Sequence, residues 1–221
     1  MKKLKVSLIL NVLIVILVIT FSIFMFTGFQ FMKAEVLLES TGIGILKFYT
    51  VDSNILLGIT SFVLALFEIK ALTNKKYKIP NYVYILKYIG VSGIAVTFVI
   101  TLFFLAPMYG YYAMYNNNNL FFHMFIPLLG FISYIGYEPH NTKFNYVLYG
   151  MLPMALYSIV YSINVLSHLN VGGLTFKYDF YGFLQGELDN IYVTVPIIYI
   201  GTYLIALAIL FLNKKIAKKS I

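Results

Sequence analysis

Hydrophobic residues run along this chain in six long blocks, separated by short segments that collect most of the charged residues. Each block is close to the length of about 20 residues that an α-helix needs to cross a bilayer. The pattern therefore predicts six transmembrane helices and leaves no segment for a separate soluble domain. The predicted bounds are Val6–Phe31, Thr50–Ile69, Tyr82–Ala106, Leu120–Gly136, Tyr146–Leu166 and Ile191–Leu212. The first block is too long for a signal-peptide core and lacks a small-x-small cleavage site, so we expect it to remain as a membrane anchor.

Composition supports the same class of protein. The 221 residues are 61% hydrophobic and 11% charged, with a mean hydropathy of +0.86, which is typical of an integral membrane protein and not of a soluble domain. We predict an all-α, polytopic bundle of six helices in a single domain, residues 1–221. Cysteine is absent, which excludes disulfides, thiol catalysis and cysteine-ligated metal.

The net charge of +8 does not indicate a nucleic-acid partner, because the basic residues are all lysines placed between apolar spans. Thirteen of the sixteen lysines fall on the side that holds both termini, and Lys87 is counted among them. Lys33, Lys47 and Lys177 fall on the other side. By the positive-inside rule, both termini are predicted to be cytoplasmic in a multi-pass protein of the cell membrane, with the loops at 32–49, 107–119 and 167–190 facing outward.

The start of the second block, Lys47–Asn54, carries five polar side chains. Thr50, Ser53 and Asn54 stand at i, i+3 and i+4, so on a helix they share one face and can converge on a ligand or a partner helix. Asp52 lies on another side, near the helix N-terminus, where unpaired amides and the helix dipole favour a carboxylate. One interpretation is a helix cap with a patch of hydrogen bonds between helices. The other is a functional site.

His123 lies one turn inside the fourth block and is followed by Pro127. An ionisable side chain inside a membrane protein indicates a functional site, although a neutral imidazole bonded to a tyrosine or a carbonyl is the alternative. The second and fourth blocks both enter from the outer side. Thr50 and His123 are therefore predicted to lie at matching depth.

The fifth block carries a semi-polar stripe at helical spacing that should face the bundle and not lipid. Its members are Tyr149, Pro153, Tyr157, Tyr161, Asn164 and His168. The outer end of the stripe, at Asn164, should reach the level of Thr50 and His123. The loop that follows contains Asp179.

Glu68 is predicted not to belong to the same site as Thr50. Glu68 lies eighteen residues after Thr50, about 27 Å further along a helix, and is interpreted as an interfacial residue. Glu138 and His140 are interpreted as solvated. A zinc site built from these two residues lacks further ligands nearby, so no metal is predicted.

Three short motifs resemble those of a known family: Phe48-Tyr49-Thr50 before a polar turn and an apolar helix, His123 with Pro127, and Asp179-Phe180-Tyr181-x-Phe183 before the last span. They are similar to a bacterial family of six-pass membrane proteins related to the androgen-induced and androgen-dependent TFPI-regulating proteins of animals. The animal relatives are intramembrane hydrolases that cleave fatty acid esters of hydroxy fatty acids with a Thr and a His. The turn Asp52-Ser53-Asn54 is closer to the bacterial branch, and the His-to-Pro spacing of four is shorter than in the animal hydrolases.

The resemblance implies that Thr50 attacks a lipid ester and that His123 serves as general base and then acid. Asn54, or a tyrosine hydroxyl from the fifth or sixth span, is expected to donate to the oxyanion, and Asp179 is the candidate to orient His123 by analogy with catalytic triads. The other supporting candidates are Asp52, Ser53, Tyr161 and Asn164. The partners expected are membrane lipids and a lipid ester substrate.

Two other functions stay open. A transporter or a lipid-binding protein would use the polar stripes to line a cavity that opens to the outer side, although Pro127, Pro153 and Pro196 all interrupt the second half, which weakens an inverted repeat. Haem or quinone binding would require two inward histidines, and only His123 is clearly within a span, with His168 a marginal second. No cofactor is therefore predicted.

Overall fold

The computed structural model describes residues 1–32, 40–138, 140 and 143–219, and within these ranges the chain forms helices and no strands. Six helices are long and apolar enough to cross a membrane, and each overlaps one of the six predicted blocks. The prediction of an integral, all-helical membrane protein is confirmed to that extent. The helices are α1 (Lys2–Thr27), α2 (Tyr49–Thr73), α3 (Asn81–Tyr109), α4 (Asn117–Tyr137), α5 (Phe144–Ser167) and α6 (Leu188–Ala217).

The predicted end of the first span at Phe31 was wrong by four residues. Helix α1 ends at Thr27 because Gly28 adopts a left-handed conformation with φ of 73°. The amide of Phe29 then bonds to the carbonyl of Phe24 at 2.8 Å, an arrangement that satisfies the last free carbonyls of a helix. Gly28 in the sequence was the signal that could have indicated this helix end.

Helices α1, α2 and α3 pack side by side, α3 also contacts α5, and α5 contacts α6, while α4 lies against α1 and α3. The shared core contains fully buried aliphatic side chains such as Leu57, Ile94 and Ile126. Glycine allows the closest approach between α2 and α3, since a Cβ atom at Gly90 would lie 3.2 Å from the Leu57 Cα. Exposed aliphatic and aromatic side chains cover the outer faces, as expected for helices that face lipid.

Two π-helical turns each precede a proline. The segment Thr101–Leu105 comes before Pro107, and Phe121–Phe125 comes before Pro127. Proline has no N–H, so Pro127 cannot bond to the carbonyl of His123 four residues earlier, and the helix widens locally. Such π-turns occur frequently at functional sites.

At one end of the bundle, which we call the inner end, α1 to α4 share a buried set of polar side chains. Its members, called the inner cluster, are Ser7, Asn11, Ser61, Glu68, Lys87, Ser133 and Glu138. Glu68 is 1% exposed, Lys87 is 0% exposed and Glu138 is 3% exposed. The interfacial and solvated placements predicted for the two glutamates were wrong, because Asn11 of α1 bonds to both carboxylates, and Ser7 of α1 and Ser133 of α4 bond to Glu138, inside the bundle.

Both ends of the described chain meet at the inner end. Ser7 of α1 bonds to the side chain of Glu138, and Asn213 of α6 donates to the carbonyl of Glu138 at 3.1 Å. The cytoplasmic location of this end stays a prediction from the lysine count, from which the buried Lys87 has to be removed. Lys33 lies outside the described residues.

A single methyl group at Gly90 should destabilise the protein. The added Cβ would lie 2.3 Å from the Thr60 Oγ1 atom and close to α2 backbone, so Gly90→Ala is expected to cost about 1–3 kcal/mol. Gly201→Ala on α6 is the matched control, because no atom of the described residues lies within 4 Å of its added Cβ. Thermal unfolding in detergent, followed by circular dichroism, measures both. Equal melting temperatures for the two variants would contradict the close packing of α2 on α3.

Candidate functional site

The side chain of Asn54 joins the start of α2 to the π-turn of α4 at the outer end, which is the end opposite the termini. Its Nδ2 atom donates to the carbonyl of Thr50 at 2.7 Å and to the carbonyl of Phe122 at 3.1 Å. Asn54 is fully buried. The segments that carry Thr50 and His123, distant in sequence, are therefore neighbours at the outer end.

Ser53 takes part in a different contact between helices. Its hydroxyl is bonded to Thr97 Oγ1 of α3 at 2.8 Å and also donates to the carbonyl of Thr50. Ser53 and Asn54 thus connect α2 to two different helices and do not converge on one ligand. The interpretation of this face as a patch of hydrogen bonds between helices is confirmed for these two residues. The cap is not seen, since the residue before α2 makes no side-chain capping bond.

Thr50 lies beside a phenol supplied by the loop between α5 and α6. The Tyr181 hydroxyl accepts a hydrogen bond from the amide of Tyr49 at 3.0 Å and interacts with the Thr50 side chain. Burial raises the pKa of the Tyr181 phenol to about 12, although these hydrogen bonds act in the opposite direction. Tyr181 therefore stays protonated at physiological pH and keeps a proton that it can donate.

His123 lies in the π-turn of α4 and is 6% exposed. Its Nδ1 atom is 2.7 Å from the carbonyl of Met114. A carbonyl oxygen only accepts hydrogen bonds, so in the neutral imidazole Nδ1 carries the proton and Nε2 is the basic nitrogen. In this tautomer Nε2 is able to accept a proton.

Within the described part of the chain, no hydrogen bond joins the side chains of Thr50 and His123. The contacts described above bring their backbone segments together and give each side chain another neighbour, Tyr181 for Thr50 and Met114 for His123. The pairing of the two side chains in catalysis stays a prediction.

Three of the supporting candidates fold the outer loop onto α5. The Asp179 carboxylate accepts hydrogen bonds from the Tyr161 hydroxyl at 2.5 Å and from the amides of Phe183 and Leu184 at 3.0 and 2.9 Å. Asn164 donates to the carbonyl of Tyr178 at 3.1 Å. Both Asp179 oxygens are thus engaged within the loop and with α5. The contact that orients His123 comes instead from the carbonyl of Met114, which no side-chain pattern in the sequence could indicate.

A cavity of about 470 Å³ lies between α2 and α5 at the outer end. Asp52 lies in its wall with Tyr157, which belongs to the predicted semi-polar stripe, and Leu156 and Val160 line it while exposed on the outer surface of the bundle. The cavity can therefore admit a molecule from the surrounding membrane. Its lining residues also include Lys47, Tyr49, Ser53, Tyr161, Asn164 and Lys177.

The described residues contain no group of three or more His, Cys, Asp or Glu side chains that could hold a metal ion. Sequence reasoning missed Tyr181, which lies in the Asp179-Phe180-Tyr181-x-Phe183 motif but was given no role. It also missed the buried ionisable side chains of the inner cluster. The position of Lys87 within an apolar block was the feature of the sequence that could have indicated the inner cluster.

Removing the phenol hydroxyl of Tyr161 should loosen the outer loop. Tyr161→Phe leaves the buried Asp179 carboxylate with one donor fewer, which is expected to cost about 1–3 kcal/mol. The amides of Phe183 and Leu184, which bond to the same carboxylate, should then exchange hydrogen for deuterium faster. Tyr192→Phe, at an exposed tyrosine on α6, is the control. Unchanged exchange in Tyr161→Phe would show that Asp179 does not depend on this bond.

Comparisons with models of protein families, with curated proteins and with solved structures find no match for this chain.

Proposed function

We propose that this integral membrane protein is an intramembrane hydrolase of lipid esters, with Thr50 as the nucleophile and His123 as the general base. The observation that carries the proposal is the Asn54 side chain, which bonds to the carbonyls of Thr50 and Phe122 and so holds the two segments together. The resemblance of the Phe48-Tyr49-Thr50 and His123 motifs to the animal hydrolases supports the choice of residues.

The proposed reaction has two halves. The Thr50 hydroxyl attacks the ester carbonyl carbon while His123 Nε2 takes its proton, and collapse of the tetrahedral intermediate releases the alcohol, which receives that proton from His123. Water then attacks the acyl-threonine carbonyl and gives a proton to His123. Collapse of the second tetrahedral intermediate breaks the bond to Thr50 Oγ, which takes that proton back from His123, and the fatty acid leaves. The bond from Nδ1 to the Met114 carbonyl supports this role because it leaves Nε2 free of a proton.

Tyr181 is a better candidate for the oxyanion donor than Asn54. Both N–H groups of Asn54 are already committed to carbonyls, so its amide has no donor left for a substrate. The Tyr181 hydroxyl interacts with Thr50 and retains its own proton. A neutral phenol beside the nucleophile is suited to stabilise the charge that develops on the carbonyl oxygen.

A second candidate function is lipid binding or transport without chemistry. It is favoured by the cavity between α2 and α5, which neither Thr50 nor His123 lines. The combination of Asp52, two lysines and tyrosines with an apolar wall suits an amphiphile with a charged head group. In the hydrolase the same cavity would hold part of the substrate.

Substitution of the nucleophile tests the hydrolase directly. Thr50→Ala and His123→Ala should lower hydrolysis of a fluorogenic fatty acid ester, and labelling by a fluorophosphonate probe, by at least about 100-fold. Thr50→Ser should retain part of the activity, since it keeps a hydroxyl. Thr73→Ala, at the other end of the same helix, is the matched control, because its hydroxyl bonds to carbonyls of its own helix far from the cavity. Full turnover by folded Thr50→Ala would exclude the proposed nucleophile.

Filling the cavity tests the second candidate. Leu156→Trp places a large side chain in the cavity wall and should reduce crosslinking to a photoactivatable phospholipid several-fold, whereas Leu204→Trp, on an exposed face of α6, should not. If Leu156→Trp lowers crosslinking to the lipid but leaves labelling of Thr50 by the fluorophosphonate probe unchanged, lipid binding in the cavity is separate from the chemistry at Thr50. Equal crosslinking in both variants would show that lipid does not occupy the cavity.

A further inference from the structure

The amide of Asn11 is the centre of the inner cluster. Its Nδ2 atom lies 2.9 Å from Glu138 Oε1 and 3.2 Å from Glu68 Oε2, so one amide nitrogen donates to both carboxylates. Its Oδ1 atom accepts a hydrogen bond from Lys87 Nζ at 2.7 Å. All three ionisable side chains therefore meet on a single buried, neutral group.

The lysine does not pair directly with either carboxylate in the described part of the chain. Its ammonium donates to Asn11 and to Ser61 Oγ at 2.6 Å. Glu138 Oε1 accepts from Ser7, Asn11 and Ser133, whereas its second oxygen, Oε2, is buried and has no hydrogen-bond partner among the residues that the structure describes. A buried, ionised oxygen without a donor is costly. A protonated one would instead be a donor.

The formal charges of the cluster do not cancel. Two carboxylates and one ammonium leave one negative charge, and both carboxylates lie on the same amide. Net charge is strongly disfavoured inside a membrane bundle. Addition of one proton to the glutamate pair makes the cluster neutral and removes the repulsion between the carboxylates.

The titratable groups whose interactions with the cluster are described bring it no positive charge, and Lys3, one turn before Ser7 on α1, has its side chain exposed at the surface. The titratable neighbours are Tyr84 on α3, Tyr134 on α4 and His140 after α4, while α1 and α6 contribute the neutral Asn11 and Asn213. Tyrosines carry no positive charge. Burial lowers the pKa of His140 to about 4, although its bond to the Glu138 carbonyl acts in the opposite direction, so His140 is neutral at physiological pH.

We infer that the inner cluster is a proton-binding site, in which Glu68 and Glu138 share one exchangeable proton. A metal ion fits less well, because the Asn11 amide N–H groups point at both carboxylates and the Lys87 ammonium already occupies the cluster. The inference is independent of the proposed ester hydrolysis, which uses residues at the other end of the bundle. It extends the protein's chemistry to proton uptake at the end where the termini lie.

Release of the proton has a structural consequence. It would leave two negative carboxylates bonded to one amide nitrogen, and that amide connects α1, α2, α3 and α4. Repulsion then acts between α2 and α4 and favours their separation at the inner end. Proton binding thereby stabilises the packed form of that end.

Infrared difference spectroscopy of the full-length protein in lipid vesicles tests the inference. The native protein should show a carboxylic acid C=O band that shifts in deuterium oxide, disappears at alkaline pH and returns on acidification. Glu68→Gln and Glu138→Gln should each remove the band, because the remaining glutamate and Lys87 form a neutral pair that needs no proton. Lys87→Met should increase the band about twofold, since two carboxylates without a cation require two protons.

Glu187→Gln, at an exposed glutamate of the outer loop, should leave the band unchanged, and Asp52→Asn identifies any separate band that arises from the outer cavity. Circular dichroism and size-exclusion chromatography confirm that each variant is folded. A band that persists in both glutamine variants, or one that does not respond to Lys87→Met, would overturn the inference. A native protein without any such band would do the same. None of these outcomes depends on whether Thr50 is a nucleophile.

Discussion

The lack of water inside a bilayer is the constraint on which this structure depends, because every buried polar group has to find its partner within the bundle. Two asparagine side chains supply such hydrogen bonds where several helices come together. Asn54 donates to carbonyls on α2 and α4 at the outer end, and Asn11 connects the carboxylates of Glu68 and Glu138 with Lys87 at the inner end. A carboxamide suits both places because it carries two donors and one acceptor without a charge.

At the outer end, backbone carbonyls and amides make many of the hydrogen bonds that position the candidate residues. The carbonyl of Met114 selects the tautomer of His123, and the amides of Phe183 and Leu184 engage the Asp179 carboxylate. Pro127 adds to this by removing the hydrogen bond that the His123 carbonyl would receive in a regular helix. The position of the imidazole is therefore set by the course of the chain as much as by neighbouring side chains.

The difference between contacts made by side chains and contacts made by the backbone explains what the sequence could and could not predict. Length and hydrophobicity identify the six helices, since crossing a bilayer requires an apolar segment of about 20 residues. The segments of Thr50 and His123 lie next to each other, as predicted from the fact that α2 and α4 both begin at the outer end of the bundle. The orientation of His123 by a carbonyl has no sequence signature. The burial of Glu68 and Glu138 was missed because charged residues near the ends of apolar blocks were assumed to reach water, whereas both side chains are buried among polar side chains of neighbouring helices.

The two ends of the bundle are mechanically connected through α2 and α4. Helix α2 carries Asn54 near its start and Glu68 near its end, fourteen residues apart, or about 21 Å along the axis. Helix α4 carries His123 and leads to Glu138 over a similar length. Helices are stiff over this distance, so a change in the separation of α2 and α4 at the inner cluster also acts on the bond between Asn54 and the Phe122 carbonyl. The proton inferred at the inner end would then bias the spacing of Thr50 and His123 at the outer end, which gives the two sites a physical route of coupling through helices that both of them share.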